Sequence, residues 1–160
     1  VSSSELHSRF EIETLIQAFG QIEGSQYSLV IAGNPGNDAE YASKLRNLAE
    51  GDQRISFHLL FIPDEEIQVY FKACDVVVLP FARVLTSGSA ILAMSYARPV
   101  IAPRAGCLPA LLEPDNGWLY ESGKLDSLIE TMKFSAKQDQ LSAGLNAYNK
   151  ISACSVGNNV

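Results

Sequence analysis

The sequence predicts an α/β fold in which a parallel sheet is covered by helices on both faces, and three observations carry that prediction. Short apolar runs alternate with segments of helical periodicity along the whole chain. The runs are rich in Val and Ile and end in Gly or Pro, as in 27-YSLVIAG, 75-DVVVLP and 99-PVIA. Hydrophobic residues make up 47% of the 160 residues and charged ones 19%, a composition that supports one globular domain.

Taken in order, residues 12–24 place Ile12, Leu15, Ile16, Phe19 and Ile22 at helical spacing, with Gly24 as a stop. A strand through 27-YSLVIAG is expected to be buried on both faces. After the loop 34-NPGND, Asp38 is placed to cap a helix over 39-AEYASKLRNLAE. A strand at 54-RISFHLLFI leads to the helix 63-PDEEIQVYFKAC, with Asp64 at its N-cap and acidic residues favouring the positive end of the dipole. The run 75-DVVVLP is the most strand-like in the chain and is expected to be its most buried strand. A helix at 87-SGSAILAMSYA and a strand at 99-PVIA follow. Then come a loop with Gly106 and Pro109, the piece 110-ALLE and an edge strand at 117-GWLY. Helices over 124-KLDSLIETMKFSAK and 138-QDQLSAGLNAYNKIS complete the domain. The expected boundaries are a truncated or degraded first strand and loop at 1–11, the domain at 12–151 and a frayed tail at 152–160.

A formal charge of −6 and a pI near 4.8 argue against a nucleic-acid binder, which would need a basic stripe to neutralise phosphates. No run approaches the length of a membrane span. The start, 1-VSSSELHSRF, lacks a basic region followed by an apolar one, so it does not read as a signal peptide; without a Met at position 1 it reads as a fragment or a trimmed chain. Cys74, Cys107 and Cys154 are widely separated, which argues for reduced thiols and against a zinc site or disulfide framework.

The turn Thr86-Ser87-Gly88-Ser89 is the chief candidate site. A hydroxyl caps the helix, Gly88 admits a close ligand, and the first N–H groups carry a partial positive charge. Together they suit one or two phosphate oxygens, with hydroxyls from Thr86, Ser87 and Ser89 and a counter-charge from Arg83. The same string also suits a plain helix cap with nothing bound. Its position after a strand places it at the carboxyl edge of the sheet, where ligands of such sheets bind.

Other polar residues have structural readings. His58 in its apolar run reads as a satisfied core histidine, Glu65 and Glu66 as a solvated helix start, and Glu113 as a loop charge. Trp118 reads as packing at the sheet edge, and His7 has no visible partner.

The succession 72-KACDVVVLPF, 93-AMSYARPVIAP and 117-GWLYE, preceded by 15-LIQAF, 28-SLVIAG and 61-FIPDEEIQVYF, resembles the carboxyl-terminal half of family-4 retaining glycosyltransferases of the GT-B fold. The resemblance covers roughly residues 12 to 135. It implies a Rossmann-like domain that binds a nucleotide-diphosphate sugar as donor substrate, with no cofactor and no metal, and hexosyl transfer to an acceptor hydroxyl with retention. It places the diphosphate on Thr86, Ser87, Gly88 and Ser89 with Arg83, and the nucleobase at the Leu60-Phe61-Ile62 loop.

Two departures weigh against activity. The two glutamates that hold the sugar and ribose in the family fall on Val84 and Leu92, although a branch of the family reads LTSGS here and lacks them too. The basic residues that open this half are replaced by 1-VSSSELHSRFE, in which Arg9 could supply the lost diphosphate charge or be a solvated arginine at a helix start.

The resemblance also implies a partner: an amino-terminal acceptor-binding domain to which no part of the 160 residues corresponds. Three readings stay open: a donor-binding half inactive alone, a non-catalytic nucleotide or nucleotide-sugar module, and a structural relic that binds nothing. A cytoplasmic location follows from donor supply and reduced thiols, and an unfilled first strand would favour a homo-oligomer.

Overall fold

A computed structural model describes residues 10–36, 38–84 and 87–156. The chain alternates helix and strand in the order α1 (Ile12–Gly20), β1 (Leu29–Ala32), α2 (Ala39–Leu48), β2 (Ile55–His58), α3 (Asp64–Ala73) and β3 (Val77–Val78). It continues with α4 (Gly88–Ser95), β4 (Val100–Pro103), α5 (Leu108–Leu111), β5 (Gly117–Tyr120), α6 (Leu125–Ser135) and α7 (Gln140–Val156). The five described strands pair in parallel, and an isolated antiparallel bridge links Phe10 to Phe81. The α/β class and its helical layers are therefore as the sequence pattern predicts.

The strands form two groups, β1–β2 and β3–β4–β5. Alternation of side chains across each strand assigns the helices to faces. Ile101 of β4, and Trp118 and Tyr120 of β5, join a core with α1, α2 and α6. Val100 and Ala102 of β4 join a second core with α4 and Ala147 of α7. β4 lies between two neighbours and is buried at every residue, so it, and not β3, is the most buried strand. The run 75-DVVVLP yields only a two-residue strand, half-buried, which pairs with β4 at Val77 and Val78.

The expectation that β1 is buried on both faces also needs correction. Leu29 and Ile31 enter the first core, but Val30 on the other face is 51% exposed. β2 repeats the pattern, with Ser56 and His58 exposed. The cause is α3, which buries no residue and contributes only Phe71 to the second core. The β1–β2 half is thus covered only thinly on that face, where Tyr70 of α3 meets His58.

Helix ends follow local chemistry. Asp38 caps α2 by accepting from the Tyr41 N–H at 2.8 Å. Asp64 is not a cap. Pro63 occupies that position without a side-chain bond, and Asp64, Glu65 and Glu66 fill the first turn of α3. The tail expected to fray from 152 stays helical to Val156. The predicted strand within 1–11 falls largely on residues 1–9, outside the described residues.

The start of β2 is tied to the end of α1 by Arg54. Its guanidinium donates to both oxygens of Asp52, at 2.8 and 2.6 Å, and to the carbonyls of Ile22 and Gly24, and it lies 4.8 Å from the centre of the Phe19 ring. These bonds hold the Asp52 carboxyl down to about 2. A depressed folded pKa stabilises the fold above the unfolded carboxyl value of about 3.9, and that contribution is lost as pH falls through about 2. Acid unfolding should therefore show an Asp52 component between these limits. Asp52→Asn should flatten the pH dependence of the melting temperature there, and an unchanged slope would contradict the assignment.

Candidate functional site

Parallel strands send their carboxyl ends to one edge, and the loops there carry the candidate residues. β3 runs out through Leu79, Pro80 and Phe81 into the loop holding Arg83, and α4 opens at Ser87. Ser87 is buried, and its hydroxyl accepts from the Ala90 N–H at 3.1 Å while its carbonyl accepts from the Ile91 N–H at 3.2 Å. The first satisfies one orphan donor of the helix, and the second is its first intrahelical bond. The N–H groups of Gly88 and Ser89 have no backbone acceptor among the described residues. Gly88 is exposed and Ser89 half-buried, and open space surrounds the position a Cβ of Gly88 would take. An anion at this end would meet two N–H groups, the Ser89 hydroxyl and the positive end of an eight-residue helix.

The Ser87 hydroxyl is committed to its cap, which makes it a positioning group for the turn. Ser87→Ala should cost about 1 kcal/mol of unfolding free energy by loss of that cap. Chemical denaturation would check this, and an unchanged midpoint would show that the cap contributes nothing.

Thr86 lies outside the described residues, as does Arg9. Arg83 is exposed and pairs with no carboxylate among the described residues. Leu60 and Phe61 are 51% and 66% exposed, and Ile62 is half-buried, in the loop after β2. His58, at the end of that strand, is exposed and meets Tyr70 of α3, with Nδ1 3.2 Å from its hydroxyl oxygen. It is not the core histidine expected, because β2 presents alternate residues to the face that α3 covers only thinly.

Val84 packs on the second core, and Leu92 sits on α4 with 38% exposure. Neither side chain has a polar atom to offer a sugar. Trp118 is buried in the main core on the edge strand β5, and Glu113 pairs with Lys150 of α7 at 2.7 Å. Burial pushes the Cys74 thiol up, away from a reactive thiolate.

Two residues at this edge were not singled out from the sequence. Arg104 follows β4 directly, is exposed, and donates its backbone N–H to the Tyr120 carbonyl at 2.7 Å. Glu121, after β5, pairs with Lys124, whose hydrogen bond holds the carboxyl below its usual range. The signal for Arg104 was present: a basic residue directly after a buried strand is at the carboxyl edge by construction.

Residues 2–137 match the model of the family described as glycosyl transferases group 1. A GDP-mannose:glycolipid 4-beta-D-mannosyltransferase of Xanthomonas campestris pv. campestris is 34% identical over 125 residues, covering 74% of this chain and 34% of that protein. The chain thus spans about a third of the length of the curated relatives it matches. Sucrose-phosphate synthase from Thermosynechococcus elongatus superposes with a TM-score of 0.75 at 27% identity, over 89% of this chain and 37% of that one. Anabaena Alr3699/HepE, solved in complex with UDP-glucose, gives 0.75 at 24% identity over 88% and 40%. The carboxyl-terminal domain of a group 1 family glycosyl transferase from Francisella tularensis gives 0.72 at 23% identity over 89% and 75%.

Proposed function

Because the chain belongs to the group 1 glycosyltransferases, we propose that it is the donor-binding half of a retaining glycosyltransferase and that alone it holds a nucleotide-diphosphate sugar without transferring it. The observation that carries this reading is the amino end of α4, where the Gly88 and Ser89 N–H groups have no backbone acceptor among the described residues, after a loop that holds the exposed Arg83. The donor diphosphate lies across that turn, with Thr86 adding a hydroxyl and Arg9 a further charge. The nucleobase meets main-chain groups at Leu60, Phe61 and Ile62. Support for this donor class comes from the relatives, one named for GDP-mannose and one solved with UDP-glucose.

In the transfer step the acceptor hydroxyl attacks from the face the diphosphate leaves. Charge gathers on the departing phosphate oxygen, and each well-placed helix N–H lowers the barrier by about 3 kcal/mol. Those donors are properties of this chain; the acceptor site belongs to a partner domain. A cytoplasmic setting, where such donors are made, suits this role, and no helix among the described residues is long and apolar enough to cross a membrane.

A second reading, a non-catalytic nucleotide-sugar module, is favoured by Val84 and Leu92 standing where the family has its glutamates. Calorimetric titration with GDP, UDP, ADP and their sugar conjugates tests both. The chain should bind one of these diphosphates. Ser89→Asp should weaken that binding at least tenfold by placing a like charge at the phosphate, while leaving the melting temperature level or higher, since an acidic residue suits the first turn. Binding unaffected by Ser89→Asp would remove the α4 turn from the site. No binding at millimolar concentration would leave a relic. Binding together with transfer activity added back by a separate acceptor domain would separate the donor half from the non-catalytic module.

A further inference from the structure

A cleft of about 220 Å³ opens between the carboxyl ends of α1 and α6. It lies at the amino end of β1, on the edge opposite the candidate site. Ile22, Glu23 and Tyr27 line one wall, and Lys133, Ala136 and Lys137 the other. Ile22 is buried and Tyr27 half-buried against the first core, so the cleft is apolar where it meets that core.

Both walls are fixed from behind. Arg54 donates to the carbonyls of Ile22 and Gly24, which holds the segment bearing Glu23, and the Ile22 N–H returns to the Phe19 carbonyl at 2.9 Å. On the other wall the Ser135 hydroxyl donates to the Met132 carbonyl at 2.9 Å, and the Gln140 side chain donates to the Ser135 carbonyl at 2.8 Å. A ligand entering here would order little of the main chain.

The two lysines differ from the others. The chain has six lysines. Lys44, Lys124 and Lys150 pair with carboxylates, and Lys72 donates to Gln68. Lys133 and Lys137 have no such partner among the described residues, although the chain carries a net charge of −6. They stand one turn apart, where like charges repel. The dipole favours a lysine at the carboxyl end of α6, but it does not require two of them to line one cleft.

We propose that this cleft binds a small phosphomonoester with an apolar body. A phosphate presents three oxygens and close to two negative charges, enough to bridge both ammonium groups and remove their repulsion. The apolar body lies against Ile22, Ala136 and the Tyr27 ring. Glu23, exposed at the rim, opposes the anion and limits its affinity. The ligand is small because the cleft is below the roughly 300 Å³ at which drug-sized ligands begin. The site is separate from the α4 turn and does not rest on the donor reading.

The test is titration of the isotope-labelled chain with phenyl phosphate, read as amide shifts. Residues Ile22, Glu23, Tyr27, Lys133, Ala136 and Lys137 should shift and saturate below about 10 mM, and inorganic phosphate should bind about tenfold more weakly for want of the ring. Lys133→Gln and Lys137→Gln should each weaken phenyl phosphate roughly threefold and the double variant roughly tenfold, whereas Glu23→Gln should tighten it about twofold. Lys72→Gln, a charge change elsewhere, should leave it unchanged. Both cleft lysines are exposed, so the variants should melt with the unaltered chain. The same titration of Ser89→Asp, which blocks the α4 turn, should give the same shifts at the cleft. The proposal is overturned by an absence of shifts at these six residues, by shifts confined to α4, by shifts that survive the double variant, or by equal affinity for phosphate and phenyl phosphate.

Discussion

Gly144→Ala should lower unfolding free energy by about 3 kcal/mol or more, among the largest effects of any single methyl group in this chain. Gly144 lies on α7 where that helix crosses the turn after α4. A Cβ there would come within 2.1 Å of the Ala97 carbonyl oxygen and 2.9 Å of its carbon. The obstacle is backbone, not the end of a flexible side chain, so the helices themselves must separate. Separation would open the second core, where Ala90, Ala93, Met94 and Ala147 are all fully buried. Ala97 cannot retreat easily. Its φ is +53°, the left-handed region, and its N–H is held by the Met94 carbonyl at 2.9 Å while Arg98 donates to Ala93 at 3.1 Å. This is the position after the helix cap that glycine ordinarily takes. Urea unfolding of Gly144→Ala would settle the matter, and a loss below about 1 kcal/mol would mean that α4 and α7 part freely.

The same residues show what the sequence discloses and what it hides. Periodicity placed the five described strands and every described helix except the short α5, which reads as a loop around Pro109, because those signals are local. Burial was not local. The run 75-DVVVLP reads as the innermost strand by composition, but among the described strands it pairs only with β4, and β4, with four residues, takes the centre. No property of YSLVIAG shows that α3 fails to cover Val30, or that His58 is left in solvent as a result. The close approach at Gly144 depends on Ala97, 47 residues earlier in the chain, and only the fold brings the two together. Arg54 is similar: its acceptors Ile22 and Gly24 lie about thirty residues back. The candidate site was legible in outline, since a Ser-Gly-Ser turn before an apolar helix is a local signal of a capped amino terminus. Which hydroxyl was free for a ligand was not, because Ser87 spends its oxygen on Ala90 only once the helix has formed.

Met94→Ala should cost about 3 kcal/mol, and its comparison with neighbours on α4 shows how the helix bearing the candidate site is held to the sheet. Met94 is fully buried in the second core, among Val100, Leu108 and Leu112. Truncation removes the thioether arm and leaves a cavity, since the β4 backbone behind it is fixed by pairing on both sides. Ile91, three residues earlier, is 50% exposed, and Leu92 is 38% exposed. Ile91→Ala and Leu92→Ala should each cost under about 1 kcal/mol. One apolar helix thus carries two classes of hydrophobic residue that composition cannot tell apart. If the three truncations cost the same, α4 is not seated by its Met94 face, and the orientation of the Gly88 and Ser89 N–H groups would have to be set by the flanking loops. If Met94 alone is costly, the helix is rigidly seated and its amino end is preorganised, so an anion binding there gives up little conformational freedom. Diphosphate affinity in Met94→Ala, measured well below its melting temperature, should then fall with the loss of that rigidity, whereas Leu92→Ala should bind as the unaltered chain does.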